Sequence, residues 1–320
     1  MTCLMIKTHK KFDVNSAICR IFAPMMRVVG NISVFLMTTI CMPSCSLFSG
    51  THVLSQDYKD NSEIVATNQE AEETANESRR PSKDIHLGKV NRDRSGLEIP
   101  ASMGQGEQIL YRTGYTTSYN REYKLPNWTA WHLTASHTNG PYKRKGVTYT
   151  EDKEVGYPRA TNADYRQSGY DRGHMCPSGD NKWSHQAQED CFLFTNMCPQ
   201  SHNLNGGDWN DLEMLCRRWA ERYGDIYIVC GPLVDKTYRT IGRNKVAVPY
   251  AFFKVVLCMR GMPKAIGFVY ENEDGHRPMT DYVLTVDEVE RLTGIDFFPQ
   301  LPDDVENRVE AMADLAEWGK

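Results

Sequence analysis

The chain has 320 residues, 40% of them hydrophobic, which is enough for one core of ordinary domain size with residues to spare. Its formal net charge is −4, which argues against a protein whose whole task is to hold nucleic acid, but not against an enzyme with a local basic patch. The ten cysteines include no Cys-x-x-Cys pair, so zinc-ribbon spacing is absent.

Residues 1–45 read as a leader. Arg27 is followed by an apolar run from Val28 to Met42 and then by Pro43-Ser44-Cys45, the order of a secretory signal. The run is about 15 residues long, short for a membrane span of roughly 20. Met42 to Cys45 resembles a loose bacterial lipobox, with Cys45 as the lipidated first residue of a periplasmic or cell-surface protein. Cleavage without lipid, giving a secreted protein, and an uncleaved anchor are the alternatives. Residues 46–105 read as a polar, disordered tether, because the stretch 61–80 is rich in Glu, Asn, Ser and Thr and too poor in large apolar side chains to offset its ordering entropy.

The folded domain is expected over 106–320. Ile109–Tyr111, Tyr115–Tyr119 and the alternating, aromatic-rich Asn127–Leu133 read as strands. Tyr142-Lys143-Arg144-Lys145 is the strongest local basic cluster, a solvated loop and a candidate phosphate contact. Asp225–Pro232, Pro249–Met259 and Lys264–Tyr270 read as buried strands, and Cys230 and Cys258 suit buried free thiols on them. Thr285 with Glu288 three residues on is a capping-box pattern, and the helix it opens should stop at Gly294. A last helix is expected from Asp303 or Asp304 towards Trp318. Buried strands with few helices point to an α+β fold around an antiparallel sheet.

Between these strands lies Asp171-Arg172-Gly173-His174, placed at a strand end and followed by the strand-breaking Pro177–Asp180. Cys191–Met197 reads as the returning strand and Asn203–Asp208 as a loop. A helix follows, with Leu212, Leu215, Cys216, Trp219 and Tyr223 on one face. Its acids (Asp208, Asp211, Glu213) come first and its arginines (Arg217, Arg218, Arg222) last, the order a helix dipole favours. The local architecture is strand, strand, helix. A neutral imidazole can take a proton from water, and a guanidinium can meet charge building on phosphorus. A hard metal ion held by an amide oxygen and a nearby carboxylate can stabilise a departing oxygen. The bland readings are a structural histidine, an asparagine that caps the helix, and a glutamate that serves only the dipole.

Asp171–Met175 resembles the signature of the DNA/RNA non-specific endonuclease family, in the ββα-metal (His-Me finger) superfamily. Thr195–Gln200, Asn203–Asn205, Trp209 and Leu212-Glu213 follow in the family's order, as does the tail from Thr285 to Pro302. The resemblance covers about Gln108 to Pro302. It implies an endonuclease that hydrolyses DNA and RNA with low sequence selectivity and leaves 5′-phosphates. His174 would be the general base, Asn205 the direct ligand of Mg²⁺ (with Mn²⁺ able to substitute) and Glu213 the residue that holds water around the metal. Arg172 would be the cation near the scissile phosphate, Asn196 a residue that orients the site and Arg144 a further phosphate contact. Asp171 reads as structural, and no small-molecule cofactor is expected. Cys176 and Cys198 depart from the commonest family pattern and are hypothesised to approach each other across the hairpin. Two rival readings are an inactive homologue that only binds nucleic acid and a metal phosphodiesterase acting on small nucleotides.

Overall fold

The computed structural model describes residues 96–104, 106–275 and 277–319. The expected leader and the expected tether up to residue 95 lie outside the described residues. In chain order, β1 (Glu107–Tyr111), β2 (Thr116–Asn120) and β3 (Leu125–Thr134) precede a helical excursion. It holds α1 (Asn162–Tyr165), β4 (Asp171–His174), α2 (His185–Asp190), β5 (Met197–Gln200), α3 (His202–Gly206) and α4 (Asp208–Tyr223). Then follow β6 (Asp225–Leu233), a small hairpin of β7 (Arg239–Ile241) and β8 (Val246–Val248), β9 (Ala251–Cys258) and β10 (Lys264–Glu271). The two-residue β11 (Val283–Leu284), α5 (Val286–Thr293) and α6 (Asp303–Glu310) complete the chain.

Seven strands form one antiparallel sheet in the order β1-β2-β3-β6-β9-β10-β11, so the fold is α+β around an antiparallel sheet. Both faces are covered, which is why the inner strands read as continuous apolar runs instead of alternating with polar residues. Side chains still alternate between two cores. Trp131, Leu133, Ile228, Phe252 and Val256 face the layer that holds β4, β5 and α4, where Leu212, Leu215 and Trp219 meet them. Trp128, Ala130, Val229, Phe253 and Val255 face α5 and α6 through Val286, Val289 and Val309.

The helix ends follow their sequence signals. Thr285 and Glu288 form the expected reciprocal box at the start of α5, and Gly294 closes that helix in the left-handed region at φ 70°. Four expectations need correction. The returning strand is not Cys191–Met197: those residues make a turn and a 3₁₀ helix (Phe194–Asn196), and the strand paired with β4 begins at Met197. Asn203–Asp208 is not a plain loop but contains α3 and the start of α4. The last helix stops at Glu310, and a separate 3₁₀ turn at Leu315–Trp318 starts where the Asp314 side chain accepts from the Ala316 N–H. The packed fold also starts earlier than 106: Leu97 and Ile99 pack on the second core, and the Ala101 N–H donates to the Asp296 carbonyl at 2.9 Å.

Candidate active site

The four residues of β4 pair antiparallel with β5, placing Asp171 opposite Gln200, Gly173 opposite Cys198 and His174 opposite Met197. Gly173 is required by this pairing, because a Cβ there would lie 2.1 Å from the Gln200 Oε1 and 2.7 Å from its Cβ. With α4 packed behind, the local unit is the expected strand, strand, helix. These elements wall a cleft of about 410 Å³ lined by Arg144, Arg172, His174, Asn205, Glu213 and Arg217, among others. Five of the six residues proposed from sequence therefore converge on one cavity.

His174 is half-buried, its ring edge-on to Phe192 with centroids 4.9 Å apart. Burial and the Arg144 guanidinium push its imidazole down from 6.5 to about 3, against the opposing pull of a hydrogen bond to the Arg172 backbone. Nε2 is buried without a partner, so that bond falls to Nδ1–H, and Nε2 is left as the acceptor. The ring is thus neutral, and it lines the cleft.

Asn205 sits in α3. Its Nδ2 donates to the Asp171 Oδ2 at 3.0 Å, which leaves Oδ1 as the oxygen available to the cleft. The N-cap of α4 is Gly207, so Asn205 does not cap that helix. Asp171 also meets His202 Nδ1 at 2.9 Å and serves as the structural carboxylate that orients the amide. One amide oxygen plus the Glu213 carboxyl is a sparse, all-oxygen donor set. It fits a hard divalent cation that keeps most of its waters and does not fit a thiolate-seeking metal.

Glu213 lies one turn before Arg217 on α4, so both point into the cleft. Burial pushes the Glu213 carboxyl up to about 7; Lys254 pulls it down, Asp180 pushes it up, and Arg217 and the Trp209 indole pull it down. Asp180, also buried, accepts from Arg217 Nη1 at 2.9 Å and from Trp131 Nε1 at 3.1 Å. Beneath them Lys254 of β9 is only 1% exposed, with its Nζ 4.3 Å from the Trp209 ring centre. Burial opposes its charged form, and the neighbouring carboxyls of Glu213 and Asp180 favour it. Trp209 is thus core packing.

The Arg172 Nε donates to the Asn162 Oδ1 at 2.9 Å, and its guanidinium lies over Tyr149 and Tyr165. These partners are neutral, so its charge is not spent on a carboxylate. Arg144 reaches Tyr149 and lies over Phe192. Asn196 is the sixth sequence candidate and does not line the cleft. It is fully buried, accepts from the Cys176 N–H and donates to the carbonyls of Cys176 and Cys191, each at 2.9 Å. It is a positioning residue that fixes the chain just beyond His174. The approach of Cys176 to Cys198 is not what the hairpin gives. Cys176 and Cys191 both accept from Asn181 Nδ2 at 3.2 Å, while Cys198 lies by Cys230, and all six described cysteines are free and buried.

Arg217 and Lys254 are not singled out in the sequence. Arg217 carries the signal of its i, i+4 spacing from Glu213. Lys254 is the single charged residue in a strand whose eight residues are all buried.

The family described as DNA/RNA non-specific endonuclease matches residues 94–304. The mitochondrial nuclease EXOG of Danio rerio is 35% identical over 239 residues, covering 68% of this chain and 68% of that protein. Human EXOG is 35% identical over 214 residues, covering 61% of this chain and 58% of the relative. The chain therefore spans under two thirds of the human protein. A solved structure titled as the EndoG/EndoGI complex matches with TM-score 0.58 and 30% identity, covering 61% of this chain and 86% of that one. The matched span takes in the whole cleft, from Arg144 to Arg217, and the chain belongs to the DNA/RNA non-specific endonuclease family, a family of metal-dependent nucleases.

Proposed function

We propose that this chain is a Mg²⁺-dependent endonuclease that hydrolyses DNA and RNA with low sequence selectivity and leaves 5′-phosphate ends. One observation carries the reading: a neutral His174 shares a cleft with Asn205, Glu213 and three guanidinium groups. His174 accepts the proton of the attacking water. Burial first and the Arg144 guanidinium second lower its basicity, and an entering phosphate would offset the Arg144 part. Arg172 and Arg144 meet the phosphate oxygens, and Arg217, tied to Asp180, adds positive charge on the α4 side. Asn205 and Glu213 would hold the metal, which when bound supplies charge that stabilises the departing 3′ oxygen. Cleft groups aimed at the phosphate and metal read no base, which accounts for low selectivity.

Incubation with supercoiled plasmid, in chelator and in Mg²⁺, tests this. Nicked then linear DNA only with Mg²⁺, with ends that accept ligation without added kinase, is the expected result. Binding without nicking would establish the inactive homologue, and turnover of dinucleotides alone the small-nucleotide phosphodiesterase.

We further propose that the chain is exported through a leader at 1–45 and tethered by the polar stretch that follows, with Cys45 as the site of a lipid anchor. Support comes from the sequence pattern alone. Cys45→Ala should release the protein from membranes; unchanged membrane association would refute the anchor.

A further inference from the structure

On the face of the sheet away from the cleft, α5 and α6 bring three carboxylates together. Asp287 and Glu290 stand three residues apart on α5, and Glu310 is the last residue of α6. One carboxylate oxygen from each lies within 4.8 Å of the other two. Like charges this close repel strongly unless something neutralises them. None of the ion pairs among the described residues includes any of the three.

The cluster alone would be ordinary surface acidity, but Glu310 is not on the surface. It is 6% exposed, and its Oε1 has no hydrogen-bond partner. A buried carboxyl with an unpartnered oxygen, beside two other carboxylates, is costly in its charged form without a cation. Glu306 of α6 and Asp296 of the connecting loop add further negative charge, and burial with these neighbours pushes the Glu310 carboxyl up to about 8. Glu290 is pre-positioned, since its Oε1 accepts from the Phe297 N–H at 2.8 Å. An open cleft beside the cluster, lined by Asp287, Glu290, Arg291 and Asp296, gives an ion access.

We propose that Asp287, Glu290 and Glu310 form a calcium site that staples α6 to α5. The donors are all carboxylate oxygens, with no thiol or imidazole, which selects a hard cation. Ca²⁺ accepts irregular sets of six to eight oxygens, whereas Mg²⁺ demands near-ideal octahedral geometry. The site is independent of the cleft and does not rest on the nuclease reading.

Thermal melting and titration calorimetry of the full chain with Ca²⁺ alone, after chelator treatment, test the proposal. Binding only to the folded state at one hundred times the dissociation constant shifts the folding equilibrium about 100-fold, so the wild-type melting temperature should rise with Ca²⁺. Glu310→Gln should lose the Ca²⁺-dependent rise. Asp287→Asn, at a half-buried position, should lose the rise as well and serves if the buried substitution fails to fold. Asn205→Ala, altered only in the cleft, should keep it. No rise in wild type, or an undiminished rise in Glu310→Gln or Asp287→Asn, overturns the site. A rise abolished in Asn205→Ala would assign the ion to the cleft and overturn it equally.

Discussion

Replacing His174 by alanine should change how the fold responds to acid as well as how fast it cuts. Burial and Arg144 hold the imidazole down to about 3, whereas the unfolded chain protonates near 6.5. Below pH 6.5 the unfolded state binds a proton that the folded state refuses, so stability falls as pH drops and stops falling near pH 3. Between pH 8 and pH 5 the loss from this one group is about 2 kcal/mol, from 1.5 units at about 1.4 kcal/mol each. Glu213 and Glu310 act with the opposite sign, since their raised carboxyls bind protons more tightly when folded, and they are present in both proteins and cancel in the comparison. Urea titrations of wild type and His174→Ala at pH 8 and pH 5 read the difference: the variant should lose about 2 kcal/mol less on acidification. The same variant should cut about 10²–10⁴-fold more slowly and recover partly with imidazole. An equal acid loss in both proteins would refute the neutral, desolvated histidine, and undiminished cutting would refute its role as base.

Lys254→Met removes the buried cation that pulls the Glu213 carboxyl down, so that carboxyl should titrate above about 7 and the acid limb of the plasmid-nicking pH profile should move to higher pH; an unmoved limb would dissociate Lys254 from Glu213. Gly173→Ala places a Cβ against Gln200 and should cost about 1–3 kcal/mol of stability, read by melting, together with a lower nicking rate. A chain trimmed to begin at residue 94 should keep its melting temperature, whereas one beginning at 106 loses the packing of Leu97 and Ile99 and should be destabilised by about 2–3 kcal/mol.

Much of the scaffold is legible in the residues because its signals are local. The aromatic alternation of β3, the Thr285–Glu288 box and the charge order along α4 each name their element without help from the rest of the chain. What escapes depends on side chains that reach across it. Cys191–Asn196 is apolar enough for a strand, but the Asn196 amide takes the carbonyls of Cys176 and Cys191, so side-chain bonding to the backbone replaces the ladder there. Asn205 and Asp171 are 34 positions apart, and only folding shows that one orients the other. Lys254 is hidden by its neighbours: the run around it reads as a buried strand, and only folding sets its ammonium against Trp209 and Glu213. The carboxylates of α5 and α6 read as helix surface until the chain end folds Glu310 inward.

The central claim is that Asn205 and His174 divide the work in one cleft, and a Mg²⁺ titration of plasmid cleavage by Asn205→Ala, with a melting curve alongside, tests it most directly. If the Asn205 oxygen holds the metal, the variant keeps its fold, cuts more slowly, needs more Mg²⁺ for half activity than wild type and is not rescued by imidazole. A variant that shows the wild-type Mg²⁺ requirement, whatever its melting temperature, would contradict it.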